Sequence, residues 1–362
     1  PLVDFMNHRV DLTYVIGEMI GELNAGHTYV GGGERPKPER IPLGLLGAEL
    51  SRDQDSGYYR IEEILPGRNW DKSTRSPLTE IGVDASEGDY ILAVDGQSTA
   101  GVSNLYELLV NKADKQVALT LNSEPEHEGS REVTVVPTGS EEDLYYHRWV
   151  QDNIRKVSEA TDGKVGYIHV PDMGVHGLNE FVRHFYPQIR KKALIIDVRG
   201  NGGGNVSPML IERLRREIVM IEFARNTAPS PDPSAMLYGP MVCLADEFSA
   251  SDGDLFTYRF KRHGLGKVLG KRTWGGVIGI RGSLPLLDGS ELYKPEFSRY
   301  DVEGREWIIE GVGVEPDIVV DNDPAKEYAG IDQQLNKAIE VILEELDTQE
   351  KEIPALPPYP VK

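Results

Sequence analysis

The sequence predicts a chain whose larger part is an α/β domain, preceded by a short helical piece and a β-rich domain. In the second half, short apolar runs alternate with amphipathic helical stretches, as they do where helices connect buried strands. Residues 41 to 137 carry short alternating strand patterns instead. The 362 residues give room for two or three domains, at ~100 to 200 residues each.

The composition is that of a packed, acidic protein. The chain is 39% hydrophobic, and 39 Lys plus Arg against 59 Asp plus Glu give a net charge of −20. This excess repels phosphate backbones and anionic lipid, so we expect no nucleic-acid and no membrane partner. The single cysteine, Cys243, lies in an apolar run, which predicts a buried thiol and fits a cytoplasmic location.

The N-terminal piece, residues 1–40, begins with an amphipathic helix. Apolar residues at helical spacing predict this helix over residues 10 to 24, and it ends at Asn24-Ala-Gly26. An extended signature, His27 to Val30, and a run of three glycines follow. Residues 34 to 40 hold two prolines and five charges and read as a linker.

The second domain, predicted over residues 41–140, reads as strands with one helix. The strands are expected at 58–65, 89–94, 117–121 and 132–136, with a tight turn at Asp95-Gly96 and helical spacing near Leu105. The domain resembles a circularly permuted PDZ domain: Leu43–Gly47 looks like its carboxylate-binding loop, and Glu87–Gly96 like its strand and turn motif. Another small β-rich domain is the alternative, and whether this one captures peptide C-termini is left open.

The third domain, predicted over residues 141–350, carries the α/β rhythm. Strands are expected at 163–170, 193–198 and 240–245, and helices at 178–189, 207–218, from near Ser249, and at 331–346. After them, residues 351–362 contain four prolines and read as an extended tail.

Two turns of this domain could support chemistry. The glycine run ending at Gly204 follows a buried strand and could present backbone N–H groups to an anion. Ser251 follows another buried strand at the start of a helix, where the helix dipole favours an alkoxide; the alternative is that Ser249 or Ser251 is only an N-cap. Nucleotide binding is disfavoured, because no Walker lysine follows and Asn205 breaks the G-x-G-x-x-G pattern.

A serine nucleophile needs a base, and His27 has the most suggestive setting among the eight histidines. It lies between an amphipathic helix and a glycine run. No His or Cys pair has the spacing of a zinc site, so we expect no metal and no cofactor.

Four segments together resemble the S41 serine peptidases, a family that includes the carboxyl-terminal processing proteases and the tricorn proteases. They are 193–204, 245–253, 270–276 and 310–317. The processing proteases have a catalytic lysine in the turn that corresponds to Thr273–Gly276, and this turn has none. The helix leading into Gly26-His27-Thr28 ahead of the PDZ-like segment is similar to the tricorn arrangement.

The resemblance implies a ClpP/crotonase-like fold for the α/β domain and a serine endopeptidase that cleaves oligopeptides through an acyl-enzyme. It implies Ser251 as nucleophile, His27 as general base and Glu310 as the carboxylate of the relay. The backbone N–H groups of Gly204 and Asp252 would form the oxyanion hole.

The resemblance also implies features of specificity and assembly. Glu222 falls where the family has an acidic residue that favours basic P1 side chains. The family carries β-propellers upstream and forms a hexameric ring, so we expect this chain to be the catalytic part of a longer protein and to be a homo-oligomer.

One departure leaves alternatives open. Tricorn proteases usually have a serine before the catalytic histidine, where this chain has Gly26. A water or Thr28 could substitute for that serine, or the activity could be reduced. The competing functional hypothesis is a non-catalytic peptide-binding scaffold with a decayed protease fold.

Within the enzyme class, two residue assignments have alternatives. Lys271 could serve as the base in place of His27. Three nearby acids could be mistaken for Glu310: Glu303, Glu306 and Glu315.

Overall fold

The computed structural model describes residues 2–34, 37–349, 351–359 and 361. The chain divides into two compact units, Pro1–Pro36 with Ile154–Lys362, and Lys37–Asn153. The N-terminal helical piece therefore belongs to the same unit as the α/β part. Two positions of the predicted linker, 35 and 36, and two of the predicted tail, 360 and 362, lie outside the described residues.

The first unit begins with helix α1 (Arg9–Gly21) and strand β1 (Tyr29–Gly32). The backbone N–H of His8 donates to Asp11 Oδ2 at 3.0 Å, which caps the start of α1. After the helix, Asn24 and His27 take left-handed conformations with φ of 48° and 59°. His27 therefore lies in a turn, and the extended segment predicted from residue 27 begins two residues later.

The second unit contains an antiparallel sheet. Its strands are β2 (Ala48–Arg52), β3 (Tyr59–Ile64), β4 (Tyr90–Val94), β5 (Gln97–Ser98), β6 (Val117–Asn122) and β7 (Arg131–Val135). They are ordered β2-β3-β4-β6-β7, with β5 paired to β4. Asp95 and Gly96 both have positive φ, as the predicted tight turn requires. The helical spacing near Leu105 forms a short 3₁₀ helix, Leu105–Leu109.

The loop that resembles a PDZ carboxylate-binding loop is occupied by a side chain of its own unit. The backbone N–H of Gly47 donates to Glu141 Oε1 at 2.6 Å. Burial raises the pKa of Glu141, while bonds from the Gly47 and Ala48 N–H groups lower it. A peptide C-terminus would have to displace this carboxylate.

The rest of the described chain contains helices, a parallel sheet and short antiparallel strands. The elements are α2 (Glu142–Ala160), β8 (Val165–His169), α3 (Val175–Gln188), β9 (Ala193–Asp197), α4 (Ser207–Leu214), β10 (Met220–Glu222), β11 (Ser230–Asp232), β12 (Met241–Ala245), α5 (Asp252–Arg262), β13 (Gly266–Gly270), β14 (Ser283–Pro285), β15 (Ser290–Tyr293), β16 (Ile318–Val319), α6 (Pro324–Tyr328) and α7 (Gln333–Gln349).

The parallel sheet has the order β16-β13-β12-β9-β8. Every residue of β8, β9 and β12 is buried, because apolar clusters cover both faces of the sheet. Phe256 and Phe260 of α5 lie in one cluster, and Leu335 and Ile342 of α7 lie in the other. Cys243 of β12 is a buried free thiol, as expected. Since β9 and β12 are parallel neighbours, the loops that follow them emerge at the same edge.

Strand β1 joins the N-terminal segment to the α/β part of this unit. It pairs antiparallel with β15, which also pairs with β14. Arg9 of α1 adds an ion pair with Asp288 and a 2.8 Å hydrogen bond from its Nη2 to Ser290 Oγ. These contacts hold the turn that carries His27 against the part of the chain that carries Ser251.

Among the described helices, none combines the length and the apolar composition needed to cross a membrane.

Candidate active site

Ser251 occupies a sharp turn between β12 and α5. Its φ of 53° and ψ of −113° are rare for a residue other than glycine, and they resemble the strained strand-to-helix turn that exposes a nucleophile. Ser251 stands at the N-cap position, yet its hydroxyl makes no capping bond. Ser249 is different: it is fully buried, and its Oγ donates to the Val198 carbonyl at 2.8 Å. The two serines that the sequence could not separate therefore have different environments.

His27 contacts the Ser251 hydroxyl directly. Its Nε2 lies 3.1 Å from Ser251 Oγ. Burial lowers the pKa of His27, and the negative charge of Glu310 partly offsets this effect. The imidazole is thus neutral near pH 7 and able to accept a proton. The rings of Tyr29 and Trp274 lie edge-on to it, with centroids 5.9 and 6.0 Å away.

Glu310 holds the turn that carries His27 through backbone hydrogen bonds. Its Oε1 accepts from the Gly26 N–H at 2.9 Å. Its Oε2 accepts from Val277 and Ile278 at 2.6 and 2.8 Å. The carboxylate is therefore placed beside the base as a charge and an anchor, without a direct hydrogen bond to the imidazole.

The second ring nitrogen of His27 lacks the partner that a relay would give it. His27 Nδ1 is buried and bonds to no protein atom among residues 2–34, 37–349, 351–359 and 361. The Thr28 hydroxyl donates to the Ala25 carbonyl at 3.2 Å, so Thr28 does not substitute for the serine that Gly26 replaces.

The alternative acids and the alternative base lie elsewhere. The acids that could be mistaken for Glu310 are all exposed: Glu303, Glu306 and Glu315. Lys271 forms ion pairs with Glu247 and Asp321, and no lysine lines the pocket at Ser251 in the part of the chain that the structure describes.

The glycine loop after β9 is pinned against the serine turn by Asn201. The Asn201 amide donates to the Val170 carbonyl at 2.8 Å and accepts from the Gly203 N–H at 2.9 Å. Its own carbonyl accepts from the Ala250 N–H at 2.8 Å. A fully buried asparagine with all these bonds fixes the loop in one position.

Gly204 and Asp252 lie beside Ser251 in the lining of one pocket. Gly204 has a φ of 147°, and a Cβ there would lie 2.1 Å from the Met173 carbonyl, so only glycine fits. A Cβ built on Gly203 would lie 3.0 Å from the Asp252 nitrogen, which shows how closely the two loops pack. Within the described chain, neither the Gly204 nor the Asp252 N–H donates to another protein atom. Two free donors at this position suit a developing oxyanion.

These groups meet at one pocket of about 520 Å³. Ser251, His27, Gly204 and Asp252 all line it. Glu222 does not line it; this residue is exposed at the end of β10, paired with Ser230 of β11. The described residues include no cluster of His, Cys, Asp or Glu side chains that could hold a metal ion. The pocket therefore brings together the Ser251 hydroxyl, the His27 imidazole and the two residues whose N–H groups make no other bond within the described chain.

Comparisons with known proteins show which family this chain is similar to. Residues 44–140 match the tricorn protease PDZ domain family, and residues 164–320 match peptidase family S41. The chain is 40% identical, over 99% of its length, to tricorn protease homolog 1 of Streptomyces coelicolor, and covers 33% of that protein. It is 35% identical, over 98% of its length, to the tricorn protease of Thermoplasma volcanium, and covers 34% of it.

A solved structure shares the fold. The crystal structure of the tricorn protease superposes with a TM-score of 0.87 at 35% identity, over 96% of this chain and 33% of that one. The chain thus spans about a third of the length of the curated relatives it matches.

Proposed function

Since the chain belongs to the tricorn branch of peptidase family S41, we propose that it is a serine endopeptidase that cleaves oligopeptides through an acyl-enzyme at Ser251. The observation that carries the proposal is the 3.1 Å contact between His27 Nε2 and Ser251 Oγ. A strained serine turn and two free N–H groups beside it add to this support.

In the first half of the reaction, Ser251 Oγ attacks the scissile carbonyl while its proton passes to His27 Nε2. The carbonyl oxygen becomes an oxyanion and accepts hydrogen bonds from the Gly204 and Asp252 N–H groups. The carbon–nitrogen bond then breaks, and His27 returns the proton to the leaving amine. The acyl group remains as an ester on Ser251.

In the second half, a water molecule attacks the ester. His27 takes one proton from the water, and the oxyanion forms again at the same two N–H groups. The carbon–oxygen bond to Ser251 breaks, and the proton returns to Oγ, so the peptide leaves as a carboxylic acid and the enzyme is restored.

Glu310 supports the base in two ways. Its negative charge raises the pKa of His27 against the effect of burial, which favours the imidazolium that forms in each step. Its bond to the Gly26 N–H holds the turn in place. We therefore assign it as a positioning residue that acts through His27.

The alternative of a non-catalytic peptide-binding scaffold has little support. Its basis in the sequence is Gly26 alone, yet the contact between His27 and Ser251 is intact. Its binding loop is filled by Glu141.

Cleavage of internally quenched oligopeptides tests the proposal. We expect turnover by the unmodified chain and a loss of at least about 1,000-fold in kcat for Ser251→Ala, as for other nucleophile deletions. Ser123→Ala, a change at an exposed serine of the second unit, is the control and should retain activity. Turnover that survives Ser251→Ala would refute the nucleophile assignment.

In the intact protein we expect the hexameric assembly and the cytoplasmic location that the family resemblance implies. Light scattering coupled to size-exclusion chromatography measures the first, and fractionation of cells measures the second.

A further inference from the structure

Asp254 is a fully buried carboxylate in the first turn of α5, three residues after Ser251. Its Oδ1 accepts hydrogen bonds from the Thr273 hydroxyl and, at 2.8 Å, from the Gly275 N–H. Its Oδ2 is buried and bonds to no protein atom among the described residues. Burial raises the pKa of Asp254, while the hydrogen bonds from Thr273 and Gly275 lower it. A carboxylate that is costly to bury calls for a role, and Asp254 takes none in the proton transfers of the reaction.

Thr273 and Gly275 continue this contact to the segment that follows Glu310. The Thr273 hydroxyl accepts from the Val314 N–H at 2.9 Å, and the Thr273 N–H donates to the Val314 carbonyl at 3.1 Å. The Gly275 carbonyl accepts from the Gly311 N–H at 2.7 Å. The buried carboxylate is therefore linked, through one intermediate residue in each case, to the segment that carries the acid beside the base.

The turn that carries Glu310 is strained. Ile309 has a φ of 71°, in the left-handed region, although it is β-branched and buried. Its carbonyl accepts from the Val312 and Gly313 N–H groups at 2.9 and 2.7 Å. A conformation of this kind persists only where the surrounding structure fixes it. We therefore expect the position of Glu310 to depend on the bonds that hold its neighbours.

The loop that Asp254 anchors, residues 273–278, also contacts the turn that carries the base. The N–H groups of its last two residues bind Glu310 Oε2. Gly276 Cα of this loop lies 3.3 Å from the point that a Cβ on Gly26 would occupy. A shift of the loop would therefore move both the carboxylate and the residue before the base.

We propose that Asp254 is a positioning residue for catalysis, which fixes the loop that orients Glu310 through its bonds to Thr273 and Gly275. Asp254 is absent from the lining of the pocket at Ser251, so it acts through Glu310 and not on the reacting atoms. Because Asp254 and Ser251 lie at the start of one helix, the same carboxylate holds the base in register with the nucleophile. This inference rests on the proposed peptidase function.

Substitution of Thr273 tests this role with little change in packing. Thr273→Val keeps the shape of the side chain and removes the hydroxyl that bonds to Asp254, whereas Thr273→Ser keeps the hydroxyl. With internally quenched oligopeptides, we expect kcat to fall by about tenfold in Thr273→Val, with KM within about threefold, and to stay within about threefold in Thr273→Ser. Equal kcat values for the two variants would overturn the proposal.

Thr257→Val is the matched control. Thr257 is a fully buried threonine of α5, and its hydroxyl donates to the Gly253 carbonyl within the helix, away from the loop. Its loss should leave kcat within about threefold. A loss in Thr257→Val as large as that in Thr273→Val would show that any buried hydroxyl of this region has the same effect, and would overturn the assignment.

The acid midpoint of the pH profile separates a positioning role from a purely structural one. The charge of Glu310 raises the pKa of His27, so a carboxylate that is held less closely should raise it less. Thr273→Val should therefore move the midpoint to lower pH, in the direction expected for Glu310→Gln, and Thr273→Ser should not. A lower rate without a shift of the midpoint indicates only a smaller active fraction and would overturn the proposal.

A double substitution tests whether the effect passes through Glu310. In Glu310→Gln, the further change Thr273→Val should reduce kcat by less than about twofold, because residues that act through one another are not additive. A full tenfold further loss would contradict this route. Asp254→Ala should reduce kcat at least as much as Thr273→Val, and a smaller loss would overturn the assignment to Asp254. Thermal unfolding checks the fold of each variant, and the Thr273 variants alone decide the outcome if Asp254→Ala is unfolded.

Labelling of Ser251 by a fluorophosphonate tests the proposed function separately. A chain that is labelled and keeps its kcat in Thr273→Val refutes only the positioning role of Asp254. A chain that is neither labelled nor able to cleave the peptides refutes the function.

Discussion

At the scale of single residues, the protonation of His27 sets the pH dependence of the reaction. Burial lowers the pKa of His27, so its neutral form persists to lower pH than in an exposed histidine. As the pH falls through this lowered pKa, Nε2 takes a proton and can no longer accept one from Ser251. We expect kcat/KM to be constant near pH 7 to 8 and to fall with a midpoint below about 6.5, the reference pKa.

The charge of Glu310 should be visible in the same profile. Because this charge raises the pKa of His27, Glu310→Gln should move the acid midpoint to lower pH. The substitution should also lower kcat, since it disturbs the carboxylate that holds Gly26 and Val277. A midpoint that rises or stays constant would contradict the assigned electrostatic role.

Gly26 gives a second prediction at this scale. A Cβ at this position would lie 2.9 Å from Glu310 Oε1 and 3.3 Å from Gly276 Cα. Gly26→Ala should displace the carboxylate and reduce kcat/KM by about tenfold, which corresponds to ~1.4 kcal/mol. Gly21→Ala is the matched control, because a Cβ there meets no atom within 4 Å. Unchanged peptide cleavage by Gly26→Ala would show that the contact is not needed.

Sequence patterns predicted some of these residues and not others, for a physical reason. Ser251 and Gly204 lie in local motifs that follow buried strands, so the chain neighbours reveal them. The contact of Glu310 with Gly26 joins residues 284 positions apart, and nothing in either local sequence encodes it.

At the scale of elements, the strands of the parallel sheet that the sequence pattern predicted are those that are buried on both faces of the sheet. Strands β8, β9 and β12 are buried on both faces and therefore read as continuous apolar runs. Strands β1, β10, β14 and β15 have three or four residues each and are partly exposed, so they lack the length and the continuous burial that produce a clear sequence pattern. Strand β13 begins and ends with glycine, so its apolar run is too short to predict a strand from the sequence.

The loop filled by Glu141 gives a prediction at this scale. We expect the chain to show no measurable affinity for peptide C-termini through this loop, by fluorescence anisotropy with labelled peptides. Glu141→Ala removes the acceptor of the Gly47 N–H and should destabilise this unit by about 1 to 3 kcal/mol, the cost of losing a charge-assisted hydrogen bond.

The control for this change is Glu132→Ala, at an exposed position on β7 of the same unit. Its midpoint of thermal unfolding should remain close to that of the unmodified chain. Equal stability of Glu141→Ala and Glu132→Ala, or peptide capture by the unmodified chain, would contradict the interpretation of a loop already occupied.

At the scale of the whole molecule, the site depends on two distant parts of one chain. The N-terminal segment supplies His27, and the region after β12 supplies Ser251, 224 positions later. The pairing of β1 with β15 and the contacts of Arg9 hold these parts together. Contacts between segments far apart in the sequence therefore build the site, and neither segment contains it alone.

The most direct test of the central claim is the site and rate of covalent modification by a fluorophosphonate, followed by mass spectrometry of the intact chain and its peptides. We predict a single adduct on Ser251, formed at least about 100-fold more slowly in His27→Ala, the usual contribution of a general base, and at an unchanged rate in His263→Ala, where the histidine is exposed. An adduct on another residue, or an undiminished rate in His27→Ala, would contradict the account.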